Sequence, residues 1–182
     1  MFVMNAFALK GKAPSFGVGV FVDPTARIIG DVEVGDYAAV WYGSIVKGED
    51  GLTRIGARSV IMEQCLVENS QLGEKVLVSH RAVLHRCVVE RGVLIGIGAI
   101  VLDGARIGEE SIVGAGSLIM GGFRAPRGSL IVGSPARVLR EVTDKDRAFL
   151  EKAFNEASLK SRLYAEVIGT ATFRGYSKSA AD

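Results

Sequence analysis

The chain has 182 residues, of which 48% are hydrophobic and 23% charged, with a formal net charge of +2. That is enough chain for one domain with a sizeable core, too apolar for a disordered protein, and too nearly balanced, with Lys and Arg scattered rather than striped, to favour nucleic acid. No apolar run approaches the roughly 20 residues of a membrane span, and the start Met1-Phe-Val-Met lacks the basic flank of a signal peptide, so a cytoplasmic protein with no membrane contact is expected.

A repeat begins at Val22. Branched apolar residues return every six positions, at Val22, Ile28, Val34, Val40 and Val46, and small residues stand four after the first four of these, at Ala26, Val32, Ala38 and Ser44. A period of six belongs neither to a helix nor to an alternating strand. It marks a hexapeptide solenoid, in which short strands form the faces of a prism, openers point into a narrow core and the four-on position admits only a small side chain. The stretch Lys47–Arg54 breaks the period and reads as a loop bulging from a corner. The pattern resumes at Ile55 with Ser59 and at Ile61 with Cys65, shortens to five between Val67 and Leu72 and between Leu84 and Val89, then runs unbroken through Ile95, Val101, Ile107, Val113 and Ile119. The openers predict an all-β solenoid, a parallel β-helix over residues 14–140, with roughly six coils stacked about 4.8 Å apart. Ala99 and Ala105 should face the core, and Glu110 should be a surface position that tolerates leucine. Cys65 takes a small core position and Cys87 a turn, which gives no disulfide framework.

After the prism, Thr143 with Asp146 three residues later forms a helix start. Phe149, Leu150, Ala153, Phe154 and Ala157 then share one helical face, so a helix over residues 143–165 should pack on the prism, with 169–182 as a flexible tail. Val60, Met62, Val83 and Val88 would leave apolar surface on a monomer, which predicts a homotrimer with parallel prism axes.

The chain has two histidines, His80 and His85, in V-S-H-R-A-V-L-H-R-C. His85 follows opener Leu84 and Glu68 follows opener Val67. The openers between them are one full coil apart, which stacks Glu68 and His85 on one outer face about 5 Å apart, a separation that suits two ligands of one metal ion. His80 lies near the preceding corner and reaches such a site only from a neighbouring subunit.

The solenoid, the I-G-A-R at 55–58, the histidine segment, the I-G-I-G-A-I-V-L-D-G-A run from Ile95 and the G-S-P-A-R at 133–137 together resemble the gamma-class carbonic anhydrases, a family of left-handed β-helix proteins. The resemblance covers about residues 14–165 and implies a left-handed prism, a trimer, CO2 or bicarbonate as substrate, and zinc, or iron or another divalent metal, held by three histidines at the subunit seam. Two of those match His80 and His85. The sequence departs from the family at Glu68, which stands where a third histidine is usual, with a shortened loop at Asn69-Ser-Gln. Lys47 and Glu49 replace the family's Arg and Asp, Val60 and Met62 replace its pocket Asn and Gln, and Ala153 and Ala157 replace polar residues of its helix. A lysine lacks the bidentate fork of an arginine, so CO2 hydration should be weak or absent. Two other readings compete. One is a catalytically silent scaffold or assembly protein. The other is a hexapeptide acyltransferase that uses His80 or His85 as a base.

Overall fold

The computed structural model describes residues 5–168; the expected tail over 169–182 lies outside them. The chain winds into a left-handed parallel β-helix of about 7 turns, followed by one helix, α1, over Asp144–Ile168. The extra turn relative to the opener count comes from the segment before Val22: Ala6–Phe7 and Ser15–Phe16 pair in parallel with Ile28–Ile29 and Glu33–Val34. That segment carries no run of six-residue openers.

The core follows the period. Openers Ile28, Val46, Ile61, Val67, Leu84, Ile95, Val101, Ile107, Val113 and Ile119 are all fully buried, as are Ala99 and Ala105 at four-on positions. Each such Ile or Val is worth about 1.5–3 kcal/mol of burial. Small polar residues at four-on positions bond the coil beside them, except Ser117, whose buried hydroxyl has no partner among the described residues. The Ser44 hydroxyl donates to the Met62 carbonyl at 2.6 Å and that of Ser59 to the Gly73 carbonyl at 2.9 Å.

The residue before each opener points outward, and its chemistry gives the three faces different fates. On one face the outward column is Phe21, Ala39, Val60, Leu77, Leu94 and Ile112, and α1 covers it with Leu150, Ala153, Phe154 and Ala157. Trp41, fully buried in this layer, donates its indole N–H to the Ser161 hydroxyl of α1 at 2.8 Å. On the second face the column is polar: Ser15, Glu33, Arg54, Gln71, Arg106 and Arg124, interrupted by Val88. On the third it begins with Arg27 and is then apolar again, Ile45, Leu66, Val83, Ile100 and Leu118, and no element of the described chain covers it.

This distribution corrects the expected subunit surface. Val60 is buried and Met62 packed by the chain's own helix, and Val88 is a lone apolar residue among polar ones, so of the expected four only Val83 belongs to an open apolar face. Two other expectations shift. Lys47–Arg54 is not a loop but part of a continuous strand, Ile45–Ile55, in which residues 49–52 are squeezed out between the pairs Gly30↔Gly48 and Val32↔Thr53. Cys87 is a fully buried core residue because a five-residue step brings it to the small position, and its Sγ lies 3.5 Å from the Ser70 hydroxyl. Burial pushes the Cys87 thiol up to about 11 and that of Cys65 up to about 12.

Candidate functional site

Lys47, Glu68 and His85 stand in register on three consecutive coils of the open apolar face, each one position after its opener. Since the ladder spacing is fixed by backbone hydrogen bonds, a cation, a carboxylate and an imidazole are forced into one column. Glu68 Oε2 lies 3.1 Å from Lys47 Nζ and 3.8 Å from His85 Nε2. Lys47 Nζ also meets Glu49 Oε2 at 3.1 Å. Burial alone would lower the lysine's pKa, yet the two carboxylates outweigh it and raise the pKa above its ordinary value.

The backbone under this column is held by close approach. Glycine is required at Gly48, where a Cβ would stand 2.0 Å from the Asp31 carbonyl oxygen. Beyond it the Glu49 amide donates to Asn69 Oδ1 at 3.1 Å, so Asn69 anchors the squeezed-out segment, while its Nδ2 is buried with no partner among the described residues.

His85 turns its other nitrogen to Asp103, with Nδ1 2.5 Å from Oδ1. That bond to His85 holds the Asp103 carboxyl below its usual range. An ionised carboxylate can only accept, so Nδ1 carries the proton and a neutral His85 keeps its Nε2 lone pair on the Glu68 side. His80, on the edge of the helix-covered face, repeats the arrangement: its Nδ1 bonds Glu63 Oε2. Burial would raise Glu63, but the Tyr42 hydroxyl, its own backbone amide and His80 outweigh it and the pKa falls. Tyr42, donating to Glu63 and contacting Tyr164 of α1, is raised correspondingly.

The structure thus brings Lys47, Glu49, Glu68 and His85 together and leaves His80 apart; among the described residues no three His, Cys, Asp or Glu side chains form a single-chain metal cluster. The donor set at Glu68 and His85 fits a divalent ion in type, one carboxylate oxygen and one oriented imidazole nitrogen, although Lys47 competes for the same carboxylate. Val60, Ala153 and Ala157 lie in the helix layer and not beside His85. Glu63 and Asp103 were missed in the sequence. Glu63 had a usable signal, since it and His80 both stand two after an opener, one coil apart; Asp103 stands two after Val101 whereas His85 stands one after Leu84, a diagonal that simple stacking does not flag. A cavity of about 530 Å³ lies along a different corner, past Gly17, Gly35, Gly56 and Gly73, and contains no histidine.

Comparison with known proteins gives the lineage. Residues 86–121 match the model for bacterial transferase hexapeptide (six repeats). The chain is 34% identical over 174 residues to gamma carbonic anhydrase 1, mitochondrial, of Arabidopsis thaliana, which covers 90% of this chain and 62% of the plant protein, so the chain spans about three fifths of that relative's length. It is 40% identical over 150 residues to the carnitine operon protein CaiE of Salmonella agona, covering 79% of this chain and 75% of that one. The crystal structure of a hexapeptide transferase family protein from Anaplasma phagocytophilum superposes with a TM-score of 0.83 at 32% identity, over 87% of this chain and 97% of the other. With a six-residue period in the core and these relatives along most of its length, the chain belongs to the hexapeptide-repeat family that includes the gamma carbonic anhydrases and the CaiE proteins.

Proposed function

We propose that the protein is a subunit of a metal-binding homotrimer, with the metal at the seam between prisms, held by Glu68 and His85 of one subunit and His80 of the next. The observation that carries this reading is the shared posture of the two histidines: each gives Nδ1 to a carboxylate, Asp103 or Glu63, and so keeps Nε2 for a ligand. Carboxylate-oriented imidazoles are the usual supports of a metal ion. The open apolar ladder Ile45, Leu66, Val83, Ile100 and Leu118 runs beside the Glu68–His85 column, and a second prism laid against it would bury that ladder and close the site together. Zinc is the metal that best matches two imidazoles and a carboxylate; iron or another divalent ion is also compatible.

A metal so bound would lower the pKa of its water and supply hydroxide to CO2. The residues around it serve that chemistry poorly. Lys47 is occupied by Glu49 and Glu68, the anionic Glu68 makes the ion less electropositive than a third imidazole would, and the outward residues next to the column are aliphatic. CO2 hydration is therefore weak or absent, and the cytoplasm is the proposed compartment. Among the described residues no helix is long and apolar enough to cross a membrane.

The Lys47–Glu68 contact favours one competing reading, a silent scaffold in which an ion pair has taken the place of the metal. Acyl transfer is the other, with His80 oriented by Glu63 as the base. Metal analysis of untagged protein purified without chelators, followed by CO2 hydration kinetics, separates them. About one divalent ion per subunit with slow hydration is expected; metal-free protein that stays trimeric would favour the scaffold, and saturable acetyl-coenzyme A binding the transferase.

A further inference from the structure

On the side of α1 away from His80, helix and prism enclose a groove of about 440 Å³. Its prism wall is a corner at which Tyr37, Arg58 and Lys75 occupy equivalent places on successive coils, all in the left-handed region at φ 56°, 59° and 52°. The Arg58 amide donates to the Asp36 carbonyl at 2.8 Å and the Lys75 amide to the Ala57 carbonyl at 2.9 Å, so the two cations are stacked one coil apart. The helix wall presents Asn155, Ser158 and Arg162, which share a face of α1 by their spacing.

Several cations elsewhere on this prism meet carboxylates: Arg54 meets Glu33 at 2.8 Å, Arg106 meets Glu90 at 2.8 Å and Arg127 meets Glu110 at 2.7 Å. Arg58, Lys75 and Arg162 have no side-chain hydrogen bond or ion pair among the described residues, and no acidic residue lines the groove. The groove is therefore lined by three positive charges, two from the corner and one from α1, and by no carboxylate. The floor is apolar, from Phe21, Ala39 and Phe154. The volume is that of a small-molecule site.

We propose that this groove binds a small phosphorylated organic molecule, its phosphate held by Arg58, Lys75 and Arg162 and its carbon body resting on the apolar floor. Guanidinium forks and an ammonium suit a phosphate in geometry and charge, and the floor gives an organic ester an advantage that inorganic phosphate lacks. The site is independent of the metal reading, because it lies across α1 from His80 and shares no residue with the Glu68–His85 column.

The test is isothermal titration of the full chain with adenosine monophosphate and, separately, with inorganic phosphate. Adenosine monophosphate should bind once per chain and more tightly than inorganic phosphate, with affinity falling as salt rises. Arg58→Gln and Arg162→Gln should each weaken it about tenfold or more, the loss expected for one charge-assisted contact. Arg124→Gln, which removes the same charge from the polar face, should not change it. Absence of binding, equal affinity for the two probes, or equal weakening by Arg124→Gln would each overturn the proposal; circular dichroism and thermal melting of the variants confirm that any loss is not unfolding.

Discussion

Lys47 Nζ lies 3.1 Å from Glu68 Oε2, and the two residues are register partners on neighbouring coils. The carboxylate that completes the proposed metal set is therefore already engaged by an ammonium of its own chain. Metal and lysine compete for it, and the outcome is measurable. Lys47→Met should raise metal occupancy at limiting zinc, whereas Glu68→Ala and His85→Ala should abolish it. Glu68→His should retain the metal and make its bound water more acidic, because a neutral donor replaces an anionic one, yet without fast CO2 hydration. Unchanged metal content in Glu68→Ala would remove Glu68 from the site.

Asp103 touches His85 and not the proposed ion, so it is a positioning residue. Asp103→Asn should lower metal affinity about 10- to 100-fold while leaving the prism melting temperature near that of the parent. Equilibrium dialysis against a zinc buffer measures it; wild-type affinity in this variant would show that the ring needs no carboxylate to hold its tautomer.

The open ladder predicts the oligomer. Val83→Glu together with Ile100→Glu places two charges in the middle of the apolar column, whose members Ile45 and Ile100 are 39% and 38% exposed in the single chain. Light scattering should return a trimer mass for the parent and a monomer mass for the double variant. A monomeric parent at micromolar concentration would end both the trimer and the shared site.

Core geometry is tested at Ala105, which is fully buried. Ala105→Leu should cost about 1–3 kcal/mol by overpacking, and Lys145→Ala on the exposed start of α1 within about 0.5 kcal/mol, both by urea unfolding. Glu110 is not the neutral comparison that its place in the period suggests. It pairs with Arg91, Arg127 and Arg147 and sits at φ 56°, so leucine there would lose an ion-pair cluster at a strained turn position.

The start of α1 should be acid-sensitive. Arg140 and then Thr143 hold the Asp146 carboxyl well below the usual carboxylate range, and its Oδ2 accepts the Thr143 amide at 2.8 Å. A carboxyl depressed on folding supports the fold above its unfolded value of about 4, and that support fades as pH falls through the lower folded value. Helicity followed by circular dichroism from pH 7 to pH 2 should drop in the parent, and Asp146→Asn should start lower and lose less. Superimposable acid limbs would show that the cap does not couple to the helix.

The period by itself determined the prism, because a core this narrow admits only a branched opener and a small four-on residue, and every violation would be a clash or a void. The same regularity placed Glu68 beside His85, since stacking converts a one-coil spacing into contact. It also held a message that a search for openers passes over: the residue before each opener makes one face apolar and covered by the helix, one polar, and one apolar and open. What only the tertiary structure decided are the relationships that cross the period. Val60 and Met62 look like free apolar surface until α1 lies over them. Cys87 enters the core only because a shortened step moves it there. Asp103 reaches His85 along a diagonal, and Asn69 reaches the Glu49 amide in a segment that the period does not describe. Each depends on which side chains a fold of fixed spacing brings within hydrogen-bond reach, and that is settled by side-chain length and direction, which the repeat does not encode.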